Sequence, residues 1–178
     1  MKIIKKILIA ILVIIAIPLI AALFVPKTYT VSVSETISKP KQVVFDYVRI
    51  LDNQKNYSEW VMADPNSDIT IEGTDGAVGA TQKWNSIDDN VGEGSQTITA
   101  LTPDRMDIDL NFIRPFEGHS KAADIFESIS ENETKVTMEF YSESVYPMNL
   151  PSYLFGKKMI AETSAKNLKN LKDILEKQ

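Results

Sequence analysis

The sequence predicts an α+β chain in which one curved antiparallel sheet wraps around a long C-terminal helix, with a single apolar helix in front. Three observations carry that prediction. Nineteen uncharged residues run from Ile7 to Val25, fourteen of them Ile, Leu, Val or Phe. Period-two alternation then recurs in seven short segments between Tyr29 and Val145. After Pro151 a helical period takes over and holds to the end of the chain.

The first segment makes a helix of roughly 28 Å, close to the ~30 Å hydrocarbon thickness of a bilayer. At about −0.3 to −0.6 kcal/mol per large apolar residue it inserts favourably, even with a kink at Pro18. A cleaved signal peptide is the competing reading, but the apolar run is longer than a signal core and no small-x-small site followed by polar residues closes it. Lys2, Lys5 and Lys6 precede the run and only Lys27 closely follows it. That bias keeps the N-terminus cytoplasmic and places the rest of the chain outside, in the periplasm if the source is bacterial. Residues 1–27 are thus read as tip and anchor, and 28–178 as one domain.

Tyr29 to Ile37 alternates Tyr29, Val31 and Val33 against Thr30, Ser32 and Ser34, a half-buried strand. Ser38 and Pro40 announce a helix with Val43, Val44, Tyr47, Val48 and Leu51 on its apolar face. Between Asp52 and Trp60 no long period survives, so a short helical turn or a loop is expected. Strands follow near 68–72, 80–86, 91–101, 105–113, 118–130 and 134–145, punctuated by Gly73, Gly76 and Gly79 and by turn chemistry at Thr102-Pro103-Asp104 and Glu131-Asn132-Glu133. The clearest is Arg105 to Phe112, where Met106, Ile108, Leu110 and Phe112 oppose Asp107, Asp109 and Asn111. In 118–130 the phase is ambiguous. The last helix carries Ala161, Ser164, Ala165, Leu168, Leu171 and Leu175 on one face, small at its start and leucine-rich at its end. That gradient predicts a packed floor and an open upper half against the sheet.

Composition excludes several function classes. Without the three anchor lysines the chain holds 16 basic against 24 acidic side chains, the wrong sign for nucleic acid. No cysteine and one histidine leave neither a disulfide framework nor a thiolate or histidine-rich metal site, and no cofactor is called for. The three turn glycines match no phosphate-loop spacing, and Asp88 and Asp89 beside Asn90 read as turn residues.

Several segments resemble a known family. Ile37-Ser38-Lys39-Pro40-Lys41-Gln42-Val43-Val44-Phe45-Asp46-Tyr47-Val48 is similar to the strand-to-helix entry of the START-like (SRPBCC) helix-grip superfamily, in its polyketide cyclase/dehydrase and lipid-transport branch. Trp60, Gly76-Ala77-Val78-Gly79-Ala80 before Trp84, Gly92-Glu93-Gly94, Arg114-Pro115-Phe116, Thr134-Lys135-Val136-Thr137 and Tyr146-Pro147-Met148-Asn149-Leu150 look like its membrane-anchored members. The resemblance spans residues 29–177. It implies a helix-grip fold with a ligand cavity between sheet and last helix, and it carries over no catalytic residue.

The residues placed around such a cavity are Trp60, Trp84, Phe112, His119, Phe126, Phe140, Tyr153, Met159, Ala161, Ser164 and Ala165, with ordinary core packing as the competing role for the large ones. His119 is open between general base, pocket hydrogen-bonder and surface residue. Tyr146 to Phe155, apolar and broken by two prolines, reads equally as a lid or a covering loop. Three functions follow: a membrane-anchored domain that binds a hydrophobic small molecule or lipid, a cyclase- or dehydratase-like enzyme using His119 or a buried Asp, and a protein-interaction module at the membrane. The enzyme needs a buried ionisable group of shifted pKa, and the interaction module a filled core.

Overall fold

A computed structural model describes residues 2–178. Helix α1 (Lys2–Ala22) runs without a break through Pro18 and is long and apolar enough to cross a membrane. Its sides stay uncovered until the last turn, where Ala22 is buried. Strand β1 (Thr28–Ile37) follows after five residues, so the connection is as short as the sequence predicts.

After Lys39 and Pro40 the chain enters α2 (Lys41–Val48), whose Val44, Phe45 and Val48 are buried. Val43, placed on the apolar face by its spacing, is 44% exposed, because the helix turns Val44 and Phe45 toward the sheet. A 3-10 turn (Leu51–Asn53) and two short helices, α3 (Gln54–Tyr57) and α4 (Glu59–Ala63), fill the stretch where no period survived. Their backbone is held by side chains of the last helix: Asn167 Oδ1 accepts from the Glu59 amide at 2.8 Å, and Asn170 Nδ2 donates to the Tyr57 carbonyl at 3.2 Å.

Strands β2 (Asp68–Glu72), β3 (Thr81–Asn85), β4 (Glu93–Thr102), β5 (Arg105–Arg114), β6 (Gly118–Ser130) and β7 (Glu133–Glu143) form the meander. The sheet is antiparallel throughout, in the order β1-β7-β6-β5-β4-β3-β2, so the first strand pairs with the last. A register shift between Ile98 and Ala100 bends β4 over β5, one source of the sheet's curvature. Short α5 (Asn149–Pro151) continues through a π-helical turn (Ser152–Gly156) into α6 (Lys157–Leu175), which lies along β1.

The core sits at one end of this grip. Leu168, Leu171 and Leu175 of α6 are buried with Val44, Val48, Leu51, Ile37, Phe126 and Val136, and each such side chain contributes about 1.5–3 kcal/mol. Toward the start of α6 the packing thins: Ile160, Ala161 and Ser164 are only half-buried. Ala165 is exposed, and the flank expected for it is held by buried Asn167, because α3 and α4 pack there.

Candidate functional site: a cleft between sheet and helix

Strand pairing fixes what lines the upper half of the grip. In one cross-strand row Trp84 faces Gly94, which faces Phe112. The indole lies over β4 and meets Phe112 edge-on, with ring centroids 6.1 Å apart. Gly94 makes this possible, since a Cβ there would stand 2.5 Å from the indole ring and 2.5 Å from the Asn111 carbonyl. Both aromatic residues are half-buried.

The next row runs Ile71, Gln82, Gln96, Leu110, Ser120, Ser142 and Tyr29. Its two glutamines are buried and satisfied: Gln96 Nε2 donates to Gln82 Oε1 at 2.6 Å and Gln54 Oε1 at 2.5 Å, and Gln82 Nε2 donates to the Leu51 carbonyl at 3.1 Å. This chain of amides ties α3 and the 3-10 turn to the sheet. Deeper in the grip, β6 sets Asp124 between Met106 and Met138.

Asp124 is the unusual group. It is 8% exposed, and its carboxylate has no hydrogen-bond partner among the described residues. The hydroxyl of buried Tyr57 has none either. The fully enclosed side-chain oxygens that lack partners are Ser67 Oγ and Asn149 Oδ1, so the carboxylate and the phenol each touch space large enough for a water. Burial pushes the Asp124 carboxyl up to about 7. Burial, and next the Asp124 charge, raises the Tyr57 phenol well above its ordinary range. The concave face here therefore carries half-buried apolar side chains and, beneath them, one carboxyl that is half-protonated near neutrality. Such a group can donate or accept a hydrogen bond, pair with a cation, or move a proton.

The other sequence-chosen residues divide. Phe140 is half-buried on the concave face beside Ala122 and Val31, and Ala161 and Ser164 face the cleft from α6. Tyr153 meets Tyr29 edge-on at 6.0 Å at the mouth. Phe126 is packed in the core, edge-on to Phe45 at 5.5 Å, and lines nothing open. Trp60 and Met159 are 39% and 50% exposed. His119 is exposed on the convex face, where it borders a shallow hollow of about 250 Å³ with Thr30, Lys121 and Tyr141. Among the described residues no cluster of His, Cys, Asp or Glu is placed to hold a metal ion. Asp124, Tyr57, Gln82 and Gln96 escaped the sequence reading. Inward parity with Trp84 and Ile98 is the signal that would have found the two glutamines.

No family model matches the sequence, and no curated protein matches it. Solved structures do resemble it. Ara h 8.0201 superposes with a TM-score of 0.62 at 13% identity over 85% of this chain and 99% of its own. Protein MLL2253 from Mesorhizobium loti gives 0.62 at 16% identity, over 84% and 98%. The di-domain ARO/CYC StfQ from the steffimycin biosynthetic pathway gives 0.62 at 11% identity, covering 84% of this chain and 51% of StfQ. At these identities the likeness establishes the helix-grip fold and nothing finer.

Proposed function

We propose that the chain is a membrane-anchored START-like domain that holds a hydrophobic small molecule or lipid in the cleft between the sheet and the first half of α6. The observation that carries this reading is a half-buried concave wall of Trp84, Phe112 and Phe140, with half-buried Ala161 on α6, above an unpartnered Asp124. Close-packed interiors do not leave such walls facing space without an occupant or solvent. The ligand so described is mostly apolar with one polar group that meets Asp124 and Tyr57. In this reading α1 is the anchor, the N-terminus is cytoplasmic and residues 28–178 lie outside.

The test is native mass spectrometry of the full chain purified in mild detergent. A stoichiometric apolar mass is expected to travel with the protein and to be lost, several-fold, from Ala161→Phe, which fills the cleft. Retention of the same mass by Ala161→Phe, or an empty wild-type protein that binds no apolar dye, would reject it.

Asp124 supports a second reading, a cyclase- or dehydratase-like enzyme in which this carboxyl moves the proton. ARO/CYC is also what the StfQ structure is called. The two readings part at Asp124→Asn: a binding domain keeps its ligand, while the enzyme accumulates unconverted substrate in the cleft.

A further inference from the structure

The end of the grip that carries the cleft's mouth is joined to α1 by side chains as well as by the chain itself. Asn149 Nδ2 donates to the carbonyl of Ala22 at 2.8 Å and to that of Val25 at 2.9 Å. Tyr146 Oη donates to the carbonyl of Leu19 at 3.3 Å. These acceptors lie in and just after the last turn of the helix, where carbonyls lack intrahelical partners. Leu19 stands roughly 4.5 Å before Ala22 along the axis, at 1.5 Å per residue. The contact therefore reaches inside the apolar run and does not stop at its end.

Around this contact the surface is apolar. Phe24 is 83% exposed, Val145 76%, Phe155 72%, Leu154 56% and Met159 50%. Lys27, Lys157 and Lys158 fringe it, Lys157 lying over the Tyr153 ring at 5.4 Å and Lys158 near Glu162 at 3.6 Å. Apolar and aromatic side chains ringed by lysines suit the headgroup boundary of a bilayer, where rings and stems are buried and ammonium groups stay wet. Scattered apolar residues need no explanation, but Phe24 closely follows the span and the 145–159 segment holds the two side chains, Tyr146 and Asn149, that bond to it.

We infer that the Val145–Met159 face lies in the headgroup region of the outer leaflet, held there by the Asn149 and Tyr146 contacts to α1. The occupant of this surface is lipid. The inference rests on the reading of α1 as a membrane span. Its consequence is an entrance at the lipid surface: the π-helical turn within this face also closes the mouth, since Tyr29 Oη bonds to the Ser152 carbonyl at 3.2 Å and Oγ at 3.1 Å. A ligand would then pass between bilayer and cleft without crossing water.

The chain has no cysteine, so single labels are simple to place. The full-length protein is reconstituted in phosphatidylcholine vesicles containing some phosphatidylglycerol, with an environment-sensitive fluorophore on Phe155→Cys, Leu154→Cys, Ile14→Cys or Asn132→Cys. Asn132 lies in the β6–β7 turn at the opposite end of the sheet. Spin-labelled lipid is expected to quench positions 154 and 155 several-fold more than 132, and position 14 strongly. Quenching at 14 with none at 154 and 155 overturns the inference while leaving the anchor intact. No quenching at 14 means the anchor reading has failed. Labels at 154 and 155 shielded from both lipid and aqueous quenchers would mean that protein covers this face, which also overturns it.

Discussion

Asp124 makes the most specific residue-scale prediction, because burial alone sets its protonation. Its folded pKa, about 7, lies above the ordinary aspartate value of 3.8, so between those values the folded state holds a proton that the unfolded state has released. Stability from this group is present below pH 4 and is lost as pH rises toward 7. At about 1.4 kcal/mol per unit the cost above pH 7 is at most a few kcal/mol. Asp124→Asn is therefore expected to raise the melting temperature at pH 8 and to flatten the slope of stability between pH 4 and 7. Unchanged thermal melts across that range would mean that the carboxyl is solvated or paired. Gly94 supplies a steric prediction. A Cβ at 2.5 Å from the Trp84 ring forces the indole off Phe112, so Gly94→Ala should shift tryptophan emission and lower stability by about 1–3 kcal/mol through overpacking.

At the scale of elements, α6 divides into a packed half and an open half. Leu171→Ala removes a fully buried side chain and should cost about 2–5 kcal/mol. Ser164→Ala, in the half-buried half, should cost less than 1 kcal/mol. Equal losses in chemical denaturation would mean that the upper grip is as filled as the floor. This gradient was visible in the sequence as small residues giving way to leucines. The strands were legible for a related reason: with one face wet, the alternation of Arg105 to Phe112 has a single solution, and β5 spans Arg105–Arg114. In β6 the local pattern failed, because Ala122, Ala123 and Asp124 show no contrast between faces, and the inward aim of Asp124 depends on its pairing with Met106 and Met138. Helices α3 and α4, four and five residues long, are too short to show a period. They are set by Asn167 and Asn170, more than a hundred positions away in the chain.

For the whole molecule, the question is how firmly the apolar helix and the grip move together. Five residues connect them, and the side-chain latch rests on Asn149, which is buried and separated by 127 residues from its partner Ala22. The leucine core lies at the other end of α6, so the latch adds little to the domain's own stability. Removing it in Asn149→Ala deletes two hydrogen bonds, each worth about 0.5–1.5 kcal/mol, and strands the Ala22 carbonyl. Local opening of the junction should then become roughly ten- to hundredfold more frequent, by the conversion of about 1.4 kcal/mol per decade. Hydrogen exchange on the full-length protein in detergent is expected to speed up by that factor at amides of residues 145–156 and to stay unchanged in β5, β6 and β7. Equal acceleration in those central strands would mean that the helix and the grip unfold as one unit, with the latch as part of a shared core.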